Sequence, residues 1–229
     1  MVEWAQLTSD ELKRVDRNWP VIIPLGLQEA HGSHLPNGTD SMTAEHVVQT
    51  AAKDLDCVVC PTVNYGYAGS SYGYAGTLGV KLETLAGVLV DLVGALMDQG
   101  FRKVIFLSGH GGNKPAYQLA VDRLAHQYPD ARCAYHDWWT LAGFTDVHHA
   151  DAFESETAAA MGIRFERDRA VDVQVQKTWY TEFFRAKRYP DTGAVNGKPS
   201  EADLERGKKE VADAVEALRQ LIRRALEEA

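Results

Sequence analysis

A short apolar run that ends in glycine and gives way at once to a group of ionisable residues constrains this chain more than any other feature. Trp19 to Gly26 reads WPVIIPLG, which predicts a buried strand closed by a turn. Leu25 to Asp40 then reads LGLQEAHGSHLPNGTD and carries Glu29, His31, His34 and Asp40 within twelve positions. Ser41 to Lys53 follows with apolar residues at helical spacing, through Ala44, Val47, Val48 and Ala51. That order puts the ionisable loop just beyond the carboxyl end of a buried strand, where α/β folds hold their chemistry.

Carboxylates and imidazoles together suit divalent zinc, manganese or iron, which accept neutral nitrogen and anionic oxygen. Glu29, His31 and Asp40 offer three ligands, enough for a catalytic site with a position open to water or substrate. Asp40 has a second reading as the N-cap of the following helix, with Ser41 and Thr43 nearby.

Gly100 to Leu107, GFRKVIFL, predicts another buried strand, running into Ser108-Gly109-His110-Gly111-Gly112-Asn113. The glycines allow a sharp turn with His110 at its tip, and Ala116 to Ala125 resumes helical periodicity. Such a turn can also cradle a phosphate. This one lacks the lysine and hydroxyl of a P-loop and the spacing of a dinucleotide fingerprint, which favours metal ligation by His110. A third cluster, HHADAFESE from His148 to Glu156, precedes a helix that carries Thr157 to Met161. Acidic residues favour the positive end of a helix dipole, a reading that suits Glu156. For Glu154 and His149 the segment alone leaves the choice open.

These three segments resemble the creatininase (creatinine amidohydrolase) family. PLGLQEAHGSHLPNGTD is similar to that family's PLGSxEQHGxHLPxxTD signature, SGHGGN to its NGHGGN turn and HADAFES to its HAGxxET segment, in matching order. The resemblance implies a centre of two divalent ions (zinc, manganese or iron) with Glu29, His31, Asp40 and His110 as ligands and Asp40 bridging. Creatininase itself takes a further glutamate two residues after the turn histidine, where this chain has Gly112. In the GHGGN branch the carboxylate of the third segment fills that role, which points to Glu154. His149 is implied as the proton shuttle, with His34 behind it.

A bound divalent ion acidifies its water, two can also polarise a carbonyl, and a histidine titrating near neutrality can protonate a leaving nitrogen. The reaction this implies is hydrolysis of a non-peptide or cyclic C–N amide bond of a small molecule. Alternatives inside the family are a formamide deformylase and a cofactor-precursor peptide peptidase. Outside the enzyme class, the alternative is a non-catalytic metal-binding subunit. Between Tyr65 and Leu78 the chain reads YGYAGSSYGYAGTL where relatives show YGxSxxHxxFPGTL, so Tyr72 falls where a histidine is common. That loop reads either as an aromatic wall facing substrate or as an ordinary loop with packed tyrosines. Trp138 and Trp139 follow a strand over Arg132 to His136 and read either as ring-stacking or as core residues. His34, Tyr72 and Trp139 are the substrate-facing candidates.

Strands near Val21, Val58, Val104 and Ala134 alternate with helices near Ala44, Leu85, Ala116 and Thr157. This predicts a three-layer α/β/α fold with a mostly parallel central sheet, in a single domain over residues 1–229. A net charge of −8 argues against nucleic acid, which requires clustered Lys and Arg; the basic stretch Arg185 to Arg188 reads as a solvated face. No apolar run reaches the roughly 18 residues of a membrane span, and the N-terminus carries no secretory pattern. Cys57 and Cys60 lie in a strand-like run and read as buried free thiols of a reducing, cytoplasmic protein. The last helix, Glu201 to Glu228, is amphipathic along Val211, Ala214, Val215, Leu218 and Leu221, and could cover its own sheet or a neighbouring subunit. The resemblance implies a homo-oligomer, often a hexamer.

Overall fold

Alternate side chains of the central strands enter two separate apolar layers, which is why those strands read as unbroken apolar runs. The computed structural model describes residues 1–174 and 193–228. Its strands β1 (Val2–Glu3), β2 (Val21–Leu25), β3 (Val58–Val59), β4 (Lys103–Ser108) and β5 (Arg132–Asp137) form one sheet in the order β1-β3-β2-β4-β5. Every strand pairing in it is parallel. The helices are α1 (Ser9–Leu12), α2 (Thr39–Ala52), α3 (Leu82–Asp98), α4 (Lys114–Gln127), α5 (Trp138–Leu141), α6 (Ala152–Ala160) and α7 (Leu204–Glu227).

On one face of the sheet Val21, Ile23, Leu25, Val104 and Phe106 meet Leu85, Leu89 and Val93 of α3 and Ala116 and Ala120 of α4. On the other, Ile22, Ile105 and Leu107 meet Val47, Val48 and Ala51 of α2 and Leu218 and Ile222 of α7. The expected three-layer α/β/α arrangement is therefore present. Each such aliphatic or aromatic side chain contributes about 1.5–3 kcal/mol when fully buried. The last helix covers its own sheet and begins three residues later than expected. There Asp203 caps it, accepting from the N–H groups of Glu205 and Arg206 at 2.9 and 3.1 Å.

Two further points differ from the sequence reading. The short edge strand β1 has no periodic signal of its own and exists by pairing with β3. Glu156 is buried, and its carboxylate takes two hydrogen bonds of 2.6 Å from the Arg206 guanidinium. It locks α6 to α7 and does more than favour a helix dipole. Cys57, Cys60 and Cys133 are free thiols, and burial pushes the Cys57 thiol up to about 11. Among the described residues no helix is long and apolar enough to cross a membrane. The basic stretch 185–188 lies outside the described residues.

Strand order decides where the chemistry sits. Helix α2 leaves β2 toward β3, whereas α4 leaves β4 toward β5, so β2 and β4 are neighbours whose connections diverge. That is the switch point at which a crevice opens beyond the carboxyl ends of a parallel sheet. Leu25 of β2 stands in register with Ser108 of β4, so the two glycine-rich loops leave the sheet side by side.

Candidate metal centre

Three loops converge on the crevice. The loop after β2 brings Glu29 and His31, the start of α2 brings Asp40, the turn after β4 brings His110, and the approach to α6 brings His149 and Glu154. Glycine makes the closest of these approaches possible: a Cβ on Gly109 would lie 1.9 Å from the carbonyl oxygen of Asp40. Asp40 is the second residue of α2, whose N-cap is Gly38. Its carboxylate turns inward to the histidines, so capping does not account for it.

The donor atoms form two groups that share Asp40. Asp40 Oδ2 lies 3.3 Å from His110 Nδ1, which is also 2.9 Å from Glu29 Oε2. Asp40 Oδ1 lies 3.0 Å from His31 Nε2, which is 3.5 Å from Glu154 Oε2. Within Glu29/Asp40/His110 and within His31/Asp40/Glu154 the ligand atoms all fall within 4.8 Å of one another, as they do in Glu29/His31/His149. The other ring nitrogen of each histidine faces a backbone carbonyl: His31 Nδ1 to Glu29 at 3.0 Å, His110 Nε2 to Tyr67 at 3.0 Å, His149 Nε2 to Ala30 at 2.8 Å. A carbonyl only accepts, so these nitrogens donate and the lone pairs of their opposites point into the cluster, as in metal-binding histidines. Glu29 Oε2, His31 Nε2 and Asp40 Oδ2 are buried and face only the other ionisable groups of the cluster, with no well-formed hydrogen bond from outside it. Buried polar atoms left this way are costly unless something else engages them. Divalent cations fit that donor set.

The electrostatics match. Burial pushes the Glu29 carboxyl up, but His149, His110 and His31 outweigh it and hold the group well below the usual carboxylate range. Burial pulls His31 down, yet Asp40, Glu154 and Glu29 carry it up to about 10. His110 also stands well above an ordinary histidine: burial opposes the charge, and Glu29 and Asp40 override that. Burial raises Glu154, and His149 and His31 only partly compensate. In the ion-free protein, protons on the imidazoles balance the carboxylates that a metal would otherwise neutralise.

A cleft of about 250 Å³ opens above the cluster, lined by Glu29, His110, His149 and Glu154 at its floor and by Ser70, Tyr74, Trp139, His148 and Val195 around it. Of the substrate-facing candidates, Trp139 lines this cleft. Tyr72 stands 62% exposed and outside the lining. His34 is buried behind the cluster with its ring edge-on to Phe165, and burial pulls it down to about 4. Sequence reasoning assigned no part to Asn113 or to the 193–195 segment, whose Gly193 carbonyl accepts the Gly32 N–H at 2.9 Å. Asn113 carries a local signal, an amide closing a glycine run before a helix. The 193–195 contact has none.

The sequence matches the Creatininase family model, creatinine amidohydrolase, over residues 5–222. Among curated proteins, a mycofactocin precursor peptide peptidase from Mycolicibacterium smegmatis is 30% identical over 136 residues, 56% of this chain and 55% of the relative. One from Mycobacterium ulcerans is 31% identical over 171 residues, 69% of this chain and 64% of the relative. The chain thus spans about half the length of the first of these relatives. A crystal structure of creatinine amidohydrolase (creatininase) superposes with a TM-score of 0.89 at 22% identity, covering 99% of this chain and 98% of the other. A manganese creatininase gives a TM-score of 0.86 at 23% identity with 99% of both chains covered. A creatininase variant of Zn-Zn type gives 0.86 at 22% identity, over 99% and 98%. With the family model spanning nearly the whole sequence and the three motifs converging in one cleft, the chain belongs to the creatininase family.

Proposed function

We propose that this chain is a metal-dependent amidohydrolase that cleaves a C–N amide bond of a small molecule. The observation that carries the reading is the pair of donor groups sharing Asp40: Glu29, Asp40 and His110 would hold one ion, and His31, Asp40 and Glu154 the other. The zinc and manganese forms of the creatininase structures support divalent ions of that kind. Bound there, such ions would supply a water whose pKa is lowered toward about 7 and an electrophile for the substrate carbonyl.

The chain's own residues do the rest. His149 sits at the edge of the cluster, its Nδ1 3.7 Å from Glu29 and 3.8 Å from Glu154, farther than the closest carboxylate contacts of His31 and His110. It opens onto the cleft and is anchored through Nε2 to Ala30. Held so, it can carry a proton at Nδ1 to the departing nitrogen, which leaves badly as an anion. Trp139 offers an aromatic face for a flat substrate.

A second reading has a specific observation behind it. The curated relatives act as precursor peptide peptidases, and Gly112 leaves no side chain where creatininase carries its glutamate. A Cβ there would fall 2.3 Å from His110 Nε2. A peptide amide is therefore the leading alternative substrate. We read the chain as one domain acting in the cytoplasm as a homo-oligomer. Support for self-association comes from the family resemblance and from Val88 and Leu92, exposed one helical turn apart on α3.

Elemental mass spectrometry of the purified protein, paired with assays on creatinine, formamides and short peptides before and after chelation, tests the proposal. Two ions per chain and activity lost on chelation are expected. Protein that neither contains nor takes up a divalent ion would sink it.

A further inference from the structure

We propose that Asn113 is a positioning residue that determines which ring nitrogen of His110 meets the ion. The inference rests on the metal-site reading above. The two paired histidines of the cluster use opposite nitrogens, and they are oriented by different means. His31 turns Nε2 to the cluster because its Nδ1 donates to the carbonyl of Glu29, two residues back in the same loop. His110 turns Nδ1 to the cluster because its Nε2 donates to the carbonyl of Tyr67, 43 residues away in sequence. A local bond holds the first. The second depends on whatever holds the Tyr67 peptide.

Asn113 holds it. This side chain is fully buried, and its Oδ1 accepts the Tyr67 N–H at 2.9 Å. Its Nδ2 donates to the Gly26 carbonyl at 3.3 Å and to Ser108 Oγ at 3.2 Å. Ser108 Oγ in turn accepts the His110 N–H at 3.0 Å and donates to the His110 carbonyl at 2.8 Å. One amide therefore ties the end of β2, the turn after β4 and the loop at Tyr67 into a frame around the His110 backbone and its ring partner.

The orientation of that amide is forced. Reversed, its oxygen would face the Gly26 carbonyl and its NH2 the Tyr67 N–H, an acceptor against an acceptor and a donor against a donor. The loop reaches Asn113 only because residue 66 is glycine: a Cβ there would lie 2.4 Å from both Asn113 Oδ1 and the Gly26 carbonyl oxygen. Removing the amide leaves the Tyr67 N–H without its partner and the loop tied only through Val80, which loosens the residue whose carbonyl keeps the proton on His110 Nε2 and the lone pair on Nδ1. Such supporting bonds commonly carry about 10–100-fold in metal affinity.

The test is zinc titration against a competing chelator with wild type, Asn113→Ala, His110→Ala and Glu154→Gln. Asn113→Ala should weaken the ion lost in His110→Ala by about 10–100-fold and leave the ion lost in Glu154→Gln unchanged. In the His110→Ala background it should do nothing further to the remaining ion. Affinity unchanged from wild type at both positions in Asn113→Ala, or equal weakening of both, overturns the positioning role while leaving the metal site standing. Wild-type protein that takes up no zinc overturns the metal site, and the inference with it. A measurement that needs no variant covers the case in which Asn113→Ala does not fold. Nitrogen-15 histidine NMR of the zinc-loaded wild type should show His110 bound through Nδ1 with its proton on Nε2. Binding through Nε2 overturns the inference.

Discussion

Asp40 divides its two oxygens between histidines that arrive on different loops, so the three ligand substitutions should not be equivalent. Asp40→Ala is expected to lose both ions, whereas His110→Ala and Glu154→Gln should each lose one, as counted by elemental analysis after zinc reconstitution. Equal stoichiometry in all three would mean that Asp40 is not shared. His149→Ala should lower kcat by about 10²–10⁴-fold with ion content intact, the signature of a proton carrier; loss of an ion instead would make His149 a ligand. Gly112→Ala drives a methyl group to 2.3 Å from the His110 ring. It should cost about 1–3 kcal/mol in thermal unfolding together with one ion, and an unchanged Tm would refute the crowding argument. At this scale the ligands were legible in the sequence because carboxylates and imidazoles among glycines are poorly explained by packing. Their orienting partners were not, because the carbonyls of Ala30 and Tyr67 look like those of any other residue.

Between elements, the Glu156–Arg206 pair does the joining. Glu156 is buried while the Arg206 side chain is 51% exposed, so Arg206→Ala would leave a buried carboxylate beneath α7 with only the Asp203 N–H as a donor. Discounted for the exposure of the arginine, the loss should be about 2–3 kcal/mol. It would be read as a lower urea midpoint with unchanged ion stoichiometry. A midpoint equal to that of wild type would show that the carboxylate is satisfied by other means. Helix α7 was recognisable from its apolar stripe, and the central strands β2 and β4 from their apolar runs. Glu156 was misread because its partner lies 50 residues away, and the dipole of its own helix is the only partner a local reading can offer.

For the molecule as a whole, the cluster makes stability a function of pH and of metal. In the ion-free protein His31 is raised to about 10, so its contribution is complete below 6.5 and drains away as pH climbs toward 10. Glu29 is lowered, so its contribution is present above 4.5 and is lost on acidification. Glu210, which burial and Glu156 raise to about 8, adds a fall that begins above 4.5 and is complete near 8. The Tm of ion-free protein should therefore decline from about pH 6.5 to pH 10, while the zinc-loaded form, whose ions replace those protons, should decline less and melt higher throughout. Zinc binding at pH 7 should also release protons, measured by calorimetry in buffers of different ionisation enthalpy; a buffer-independent heat would contradict the protonated imidazoles. The sequence by itself determined the layered parallel architecture and picked out the candidate ligands. Apolar periodicity dictates what must be buried, and ligand chemistry depends on residue type. Only the tertiary structure decided that His110 turns Nδ1 to the carboxylates, and that Trp139 lines the cleft while Tyr72 and His34 do not. Those outcomes depend on the divergence of β2 and β4 and on hydrogen bonds between segments tens of residues apart, which no local pattern encodes.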